Sequence, residues 1–124
     1  MVEEAKEMYR FGIATTDGIV VNQHFGRAEK FYVYEVEEGK YEKVECREVP
    51  PVCQGGEHDD TQMLKTIKNL SDLDCLIVSR VGIRAQQMLE QNGLSVYEMP
   101  GMIEESIQKV YGYIEVQKLL NFAV

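Results

Sequence analysis

The stretch Cys75-Leu76-Ile77-Val78 is a short, continuous apolar run, and it decides the fold class. Such a run is typical of a strand covered on both faces. The preceding segment, from about Glu57 to Leu70, has apolar residues at helical spacing. The following segment, Ile83 to Gln91, also indicates a helix, which Asn92-Gly93 would close. A buried strand between two helices predicts an α/β protein.

The remaining segments extend this pattern in both directions. We expect further strands at Met8–Ala14, Phe31–Val36, Tyr41–Val49 and Leu94–Tyr97, and a helix from Ile103 to about Leu120. The order β-β-β-α-β-α-β-α predicts an antiparallel meander followed by two right-handed crossovers, hence a mixed five-stranded sheet with helices on both faces.

The sequence also predicts which way the side chains of the third strand point and where two of the cysteines lie. Strict alternation would place Tyr41, Lys43, Glu45, Arg47 and Val49 on one face of the third strand. Cys46 would then point to the other face, where we expect it to pack in the core. Cys75 is predicted to be buried and inert.

Size and composition predict one cytoplasmic domain, 1–124, with its core at about 8–120. The chain has 124 residues and is 44% hydrophobic, which is ordinary for a globular domain. No run approaches the ~20 apolar residues that a membrane span needs. The acidic N-terminus lacks the pattern of a signal peptide. Three cysteines without a pairing pattern indicate reduced thiols.

Charge and motifs argue against nucleic-acid binding and against catalysis. The net charge of −8 opposes a general phosphate-binding surface. A nuclease would need a carboxylate cluster for two metal ions, and the first strand has no acidic residue in its interior. Phosphate-binding loops, nucleophile elbows and zinc-protease motifs are missing. We therefore predict a protein that is not an enzyme.

The predicted topology gathers the chemically distinctive loops at one edge of the sheet. Strand ends and helix N-termini share that edge, where open α/β sheets bind ligands. It receives the loops at 15–18, 22–30, 50–57, 79–82 and 98–101. The opposite edge has only ordinary turns. We expect a binding site where His24-Phe25-Gly26-Arg27 meets the other loops.

Three stretches resemble one protein family. The string from Val21 to Phe31, with His24-Phe25-Gly26 at its centre, closely resembles the dinitrogenase iron–molybdenum cofactor biosynthesis family. Cys53-Gln54-Gly55-Gly56 and Ser79-Arg80-Val81-Gly82 share the resemblance, which extends from about Phe11 to Tyr113. It implies a ribonuclease H-like, three-layer fold with strand order 3-2-1-4-5. It also implies a role in binding an iron–sulfur or iron–molybdenum type cluster.

The resemblance marks His24 and Cys53 as candidate metal ligands. His24 is alternatively a loop histidine bonded to the backbone, and Cys53 a surface cysteine without a ligand. A thiol before a helix N-terminus should have a lowered pKa, which favours metal binding. His58 is at best a secondary ligand, since Cys-x4-His is not a zinc spacing.

The remaining candidates would surround the bound group. Phe25 is also explained by core packing, and Gly26 by a conformation that only glycine adopts cheaply. Gly55 and Gly56 could cradle an anion with backbone N–H groups. Arg27, Arg80 and Gly82 complete the predicted site, with Arg80 supplying positive charge. Arg84 is better explained by surface ion pairing.

Two functions of different classes follow. The first is a non-enzymatic carrier or scaffold for a metal cofactor or its precursor, which would exchange it with a donor or acceptor protein. The alternative is a metal-free protein–protein adaptor or regulator, favoured by the acidic surface and the incomplete ligand set. A metal-dependent hydrolase or nuclease ranks below both.

Overall fold

The computed structural model describes residues 8–50, 53–54, 57–58 and 60–123. The strands in this part of the chain are β1 (Met8–Ala14), β2 (Val20–Val21), β3 (Lys30–Glu37), β4 (Lys40–Glu48), β5 (Cys53–Gln54), β6 (Glu57–His58), β7 (Cys75–Val78), β8 (Ser95–Glu98) and β9 (Gly101–Met102). The helices are α1 (Asp60–Asn69), α2 (Ile83–Gln91) and α3 (Ile103–Ala123). Within the described ranges, no helix is both long and apolar enough to cross a membrane.

Five strands form one mixed sheet in the order β4-β3-β1-β7-β8. Counted along the chain within this sheet, the order reads 3-2-1-4-5. β4, β3 and β1 run antiparallel to their neighbours, whereas β7 and β8 lie parallel to β1 and to each other. Two βα crossovers therefore bring the carboxyl ends of β1, β7 and β8 to the same edge.

Helices cover both faces of this sheet, as predicted. The α1/α2 core contains Phe25, Phe31, Ile67, Leu76 and Leu89 together with other buried residues. The α3 core, on the other face, contains residues that include Phe11, Ile13, Tyr34, Ile77 and Ile107. Neighbouring residues of β7 thus enter different cores, since side chains alternate along a strand. This is why the apolar run at 75–78 has no polar position.

A β-bulge in β4 contradicts the prediction that its odd-numbered residues share one face. Glu45 pairs with Val33, but Lys43 pairs with the next residue, Tyr34, which leaves Val44 as the extra residue. The bulge shifts the register by one, so the strand changes face there. The Tyr41 ring consequently packs 6.1 Å from that of Tyr34 on the α3 side.

Beyond the bulge, β4 faces the other core. Val49 is buried in the α1/α2 core, whereas Tyr41 packs on the α3 side. The predicted core packing of Cys46 is also wrong, because its side chain is exposed. β4 is an edge strand of the sheet, and an edge strand is covered less completely than a central one.

Two short ladders lie outside the main sheet. β2 pairs with β9, and β5 pairs with β6, which places Cys53 opposite His58. α1 therefore begins at Asp60 and not at about Glu57, and the placement of His58 inside the helix start is wrong. The apolar spacing that predicted α1 begins only at Met63, so it carried no information about where the helix starts before that residue.

Candidate functional site

The segment before β3 docks against the carboxyl end of β7. The backbone N–H of Phe25 donates to the carbonyl oxygen of Arg80 at 2.9 Å, and the N–H of Ser79 donates to Gln23 at 3.0 Å. His24 and Arg80 thereby form an isolated parallel bridge. Two loops that are far apart in sequence are thus held together by the backbone, at the edge where ligand binding was expected.

A single 3₁₀ turn, Phe25–Arg27, fixes the direction of the neighbouring side chains. The N–H groups of Arg27 and Ala28 donate to the carbonyl oxygens of His24 and Phe25 at 3.1 and 3.3 Å. The Phe25 ring is 2% exposed and lies 6.3 Å from the Phe31 ring. This buried ring anchors the turn, and the polar residues on either side of it, His24 and Arg27, remain exposed.

Gly26 does not have the conformation predicted for it. It lies inside the 3₁₀ turn, and it is not among the described glycines with positive φ. The expectation of a backbone conformation restricted to glycine is therefore wrong, because a 3₁₀ turn has negative φ and accepts other residues.

A cleft of about 360 Å³ separates the 3₁₀ turn from the start of α2. The lining residues predicted from the sequence are His24, Phe25, Gly26, Arg27, Arg80 and Gly82. The others are Met63, Val81, Arg84 and Ala85. The structure thus brings the first group together around one volume, and it adds an apolar wall.

The cleft is positively charged although the protein is acidic overall. Arg27, Arg80 and Arg84 line it, and none of the lining residues that the structure describes is Asp or Glu. The side chains of His24, Arg27 and Arg80 make no hydrogen bond or ion pair to another described residue. Concentrated positive charge in a cleft attracts anions even when the net charge, here −8, is negative. Guanidinium groups also donate several hydrogen bonds to an anionic ligand.

The N-terminus of α2 adds a second source of positive potential. Gly82 is the N-cap, with φ −72° and ψ 157°, and no side chain caps the helix. The first turn has no acidic residue, so the N–H groups at this end lack an intrahelical partner. A Cβ at Gly82 would meet no atom within 4 Å. The helix end is therefore open to the cleft and suited to an anion.

The β5–β6 ladder lies beside this cleft. Cα atoms of Cys53–Gln54 approach those of the 3₁₀ turn to within 8 Å. The backbones of Cys53 and His58 are cross-strand partners, so both positions lie near the His24 segment. Gly55 and Gly56 fall outside the described residues.

Donor chemistry limits what this site holds. Among the described residues, no group of three or more His, Cys, Asp and Glu side chains could hold a metal ion. A bare ion such as zinc takes four ligands in a structural site and three protein ligands in a catalytic one. A cluster whose metals already share bridging atoms needs fewer protein ligands, and a basic cleft complements its negative charge.

Cys75 takes no part in the site. Its side chain is 1% exposed, and burial together with the nearby Asp74 raises the pKa of its thiol well above the usual value. The prediction that Cys75 is buried and inert is consistent with this placement, because the thiolate is the reactive form.

Comparison with known proteins places these features in context. A family model described as dinitrogenase iron-molybdenum cofactor matches residues 8–113. FeMo cofactor biosynthesis protein NifB from Frankia alni is 31% identical over 107 residues, and NifB from Chlorobaculum tepidum is 32% identical over 101. These alignments cover 84% and 80% of the chain but 21% and 23% of the relatives. The chain therefore spans about a fifth of these relatives.

Solved structures show the same architecture. The crystal structure of PH0822 superposes with a TM-score of 0.63 at 25% identity, covering 83% of this chain and 89% of that one. The solution structure of a putative NifB protein from Thermotoga has a TM-score of 0.58 at 27% identity, with coverages of 84% and 88%.

Proposed function

Because the chain belongs to the dinitrogenase iron–molybdenum cofactor family, we propose that it is a non-enzymatic carrier for an iron–sulfur or iron–molybdenum type cofactor or its precursor. The cluster is cargo, bound in the cleft between the 3₁₀ turn and α2. The family is involved in iron–molybdenum cofactor biosynthesis. A carrier is the role in that process that this cleft supports best.

One observation carries the proposal. A histidine without a partner among the described residues, three arginines and an uncapped helix end line a single cleft. A neutral imidazole is a common metal ligand, and the cations balance the charge of an anionic cluster. The apolar wall formed by Met63 and Ala85 limits contact with water on one side.

Each candidate residue has a role in this proposal. His24 and Cys53 would be the metal ligands; they lie on two segments that approach each other, since Cα atoms of Cys53–Gln54 come within 8 Å of those of the 3₁₀ turn. Arg27 and Arg80, assisted by Arg84, pair with the anionic surface of the cargo. The open helix end at Gly82 would admit the cargo close to the backbone; Gly55 and Gly56, which lie outside the described residues, are given the same role from the sequence alone. Phe25 anchors the turn that carries the histidine.

The proposal has a structural and a cellular part. We assign the sheet to the ribonuclease H-like architecture on the basis of its strand order and its helices on both faces. The carrier would work in the cytoplasm, receive the cluster from a donor protein and release it to an acceptor. Nucleic acid and membranes are not partners in this scheme.

A metal-free adaptor is the competing function. Its support is the missing three-ligand group among the described residues and the acidic surface. In that case the arginines of the cleft would bind acidic side chains of a protein partner, and metal would be irrelevant to the complex.

Anaerobic titration with a reconstituted iron–sulfur or iron–molybdenum cluster distinguishes the two functions. We expect the wild-type protein to retain the cluster through gel filtration, and His24→Ala to bind it at least about tenfold more weakly. Arg80→Gln should also weaken binding. Lys68→Gln, which removes a charge from the exposed end of α1, is the matched control and should bind like wild type.

Two results would overturn the carrier proposal. If wild-type protein retains no cluster, the adaptor becomes the better account, and the metal-free protein should then recover a stoichiometric partner. If His24→Ala and Arg80→Gln both bind as tightly as Lys68→Gln, the cluster lies elsewhere.

A further inference from the structure

The C-terminal half of α3 has an apolar surface that the other described residues leave exposed. In its N-terminal half, Ile103, Ile107 and Val110 are buried in the α3 core. From Tyr111 to Asn121 no side chain is fully buried. One side of this half still packs on the domain, since the Tyr111 ring lies 6.2 Å from the ring of Tyr9.

The opposite side forms a stripe without a charged residue. Val116, Leu119 and Leu120 are 52%, 70% and 55% exposed, and Gly112 lies among them at helical spacing. Tyr113 lies beside the stripe and packs its ring 5.7 Å from that of Tyr97. The same side of the N-terminal half carries Glu105 and Lys109, which are exposed, as expected for a surface helix. In its N-terminal half, α3 therefore has one apolar and one polar side, whereas in its C-terminal half apolar residues lie on both sides.

The apolar side of a helix is ordinarily covered, and a contiguous exposed apolar patch marks an interaction surface. The charged residues of this half, Glu115 and Lys118, form an ion pair at 3.5 Å outside the stripe. Most of the stripe lies beyond residue 113, where the match to the family model ends, and no stripe residue lines the cleft.

We propose that the stripe binds a second copy of the same chain, through an antiparallel α3–α3 contact. The stripe is self-complementary about a two-fold axis at Val116. Gly112 of one copy then faces Leu119 and Leu120 of the other. A Cβ at Gly112 would meet no atom within 4 Å, so this position offers room for the bulky partner side chains. An isologous dimer requires this kind of match between two regions of the same surface.

Charge and area agree with self-association. The stripe is neutral, so two chains of net charge −8 meet where neither presents a like charge. The exposed apolar side chains amount to roughly 300 Å² per copy, at the lower limit of the patches that monomers expose. Two copies would bury about 600 Å² of this apolar surface together with flanking polar residues, which is the size of a weak, transient interface. We therefore expect a reversible dimer with a dissociation constant in the micromolar range.

Sedimentation velocity over a range of concentrations tests the dimer. The wild-type chain should change from monomer to dimer as its concentration rises, and Leu119→Glu should raise the dissociation constant at least tenfold. Gln108→Glu adds the same charge to an exposed site of α3 outside the stripe and should leave dimerisation unchanged. A wild-type chain that stays monomeric at hundreds of micromolar, or equal effects of the two variants, would overturn the proposal.

Cross-linking tests the antiparallel geometry. In a Cys46→Ser, Cys53→Ser background, Val116→Cys should form a disulfide-linked dimer under mild oxidation, because the two copies meet at this residue. Lys109→Cys lies on the same side but about 21 Å from its equivalent in an antiparallel pair, at 1.5 Å per residue, and should not cross-link. Cross-linking at both positions would indicate a parallel pair, and cross-linking at neither a different interface; both contradict the proposal.

Discussion

Replacing Gly82 with aspartate should stabilise the fold and weaken cluster binding in the same protein. Gly82 is the N-cap of α2 with extended backbone, and a side chain there meets open space. An aspartate can therefore accept hydrogen bonds from the free N–H groups and interact favourably with the helix dipole. The same carboxylate would occupy the positive helix end that the carrier proposal reserves for the cargo.

The size of each effect follows from the geometry. Three terms raise the free energy of unfolding. A better N-cap contributes a few tenths of a kcal/mol, the interaction of the carboxylate with the helix dipole about 0.3–1 kcal/mol, and the reduced conformational freedom of the unfolded chain about 0.4–1 kcal/mol. The free energy of unfolding should rise by roughly 1–2 kcal/mol, or about 3–6 °C in Tm. A new negative charge beside the cargo costs about 1 kcal/mol or more per unit of cargo charge, which weakens binding about tenfold.

Urea denaturation and anaerobic cluster titration measure the two effects. Gly82→Ser is the matched control, because it caps the helix without adding charge. It should stabilise the fold by about 0.5–1 kcal/mol and weaken binding less than Gly82→Asp does. A loss of stability in Gly82→Asp would refute the assigned N-cap geometry. Equal binding losses in the two variants would refute the electrostatic role of the helix end.

Three further predictions concern the fold and its thiols. Gly12→Ala should lower the free energy of unfolding by about 1–2 kcal/mol in urea denaturation, because the new Cβ would lie 2.7 and 2.8 Å from two buried leucine side chains. Hydrogen bonds from Arg47 lower the pKa of Asp72 from 3.8 to about 2. The stability that this provides is present above pH 4 and lost as the pH falls toward 2; Asp72→Asn should remove at most about 1 kcal/mol at neutral pH, because the carboxylate is half exposed. In the native protein iodoacetamide should label the exposed Cys46 but not the buried Cys75, which mass spectrometry would detect; labelling of both at equal rates would contradict the structure.

The sequence predicted the elements whose pattern is set by burial. The apolar run at 75–78 is buried throughout, because covering both faces of a central strand leaves no polar position. The end of α2 was also predictable, since Gly93 adopts the positive φ of 82° that glycine accepts most easily.

Features set by contacts distant in sequence were not predictable. The bulge at Val44 moves Tyr41 to the other face, and nothing in the local alternation signals it. β2 and β9 pair across the chain, and each is too short to show a pattern of its own. That Arg84 lines the cleft was not predictable either, because only the closed fold brings the start of α2 to this volume.

The candidate site was predictable from topology more than from its chemistry. Parallel strands place the loops after β1 and β7 at one edge, and the hydrogen bonds between Phe25 and Arg80 follow from that arrangement. The roles of His24 and Cys53 as metal ligands stay predictions. Gly26 shows the limit of residue-type reasoning, since its presence alone suggested a conformation that it does not have.

Nuclear magnetic resonance of the labelled protein, titrated anaerobically with a paramagnetic iron–sulfur or iron–molybdenum cluster, tests the central claim most directly. If the cleft holds the cluster, the amide signals of residues 24–27 and 80–85 should broaden first. Those of the turns at 38–40 and 92–93, at the opposite edge of the sheet, should persist. Broadening that is strongest at the opposite edge, or spectra that do not change, would contradict a cluster carrier with its site in this cleft.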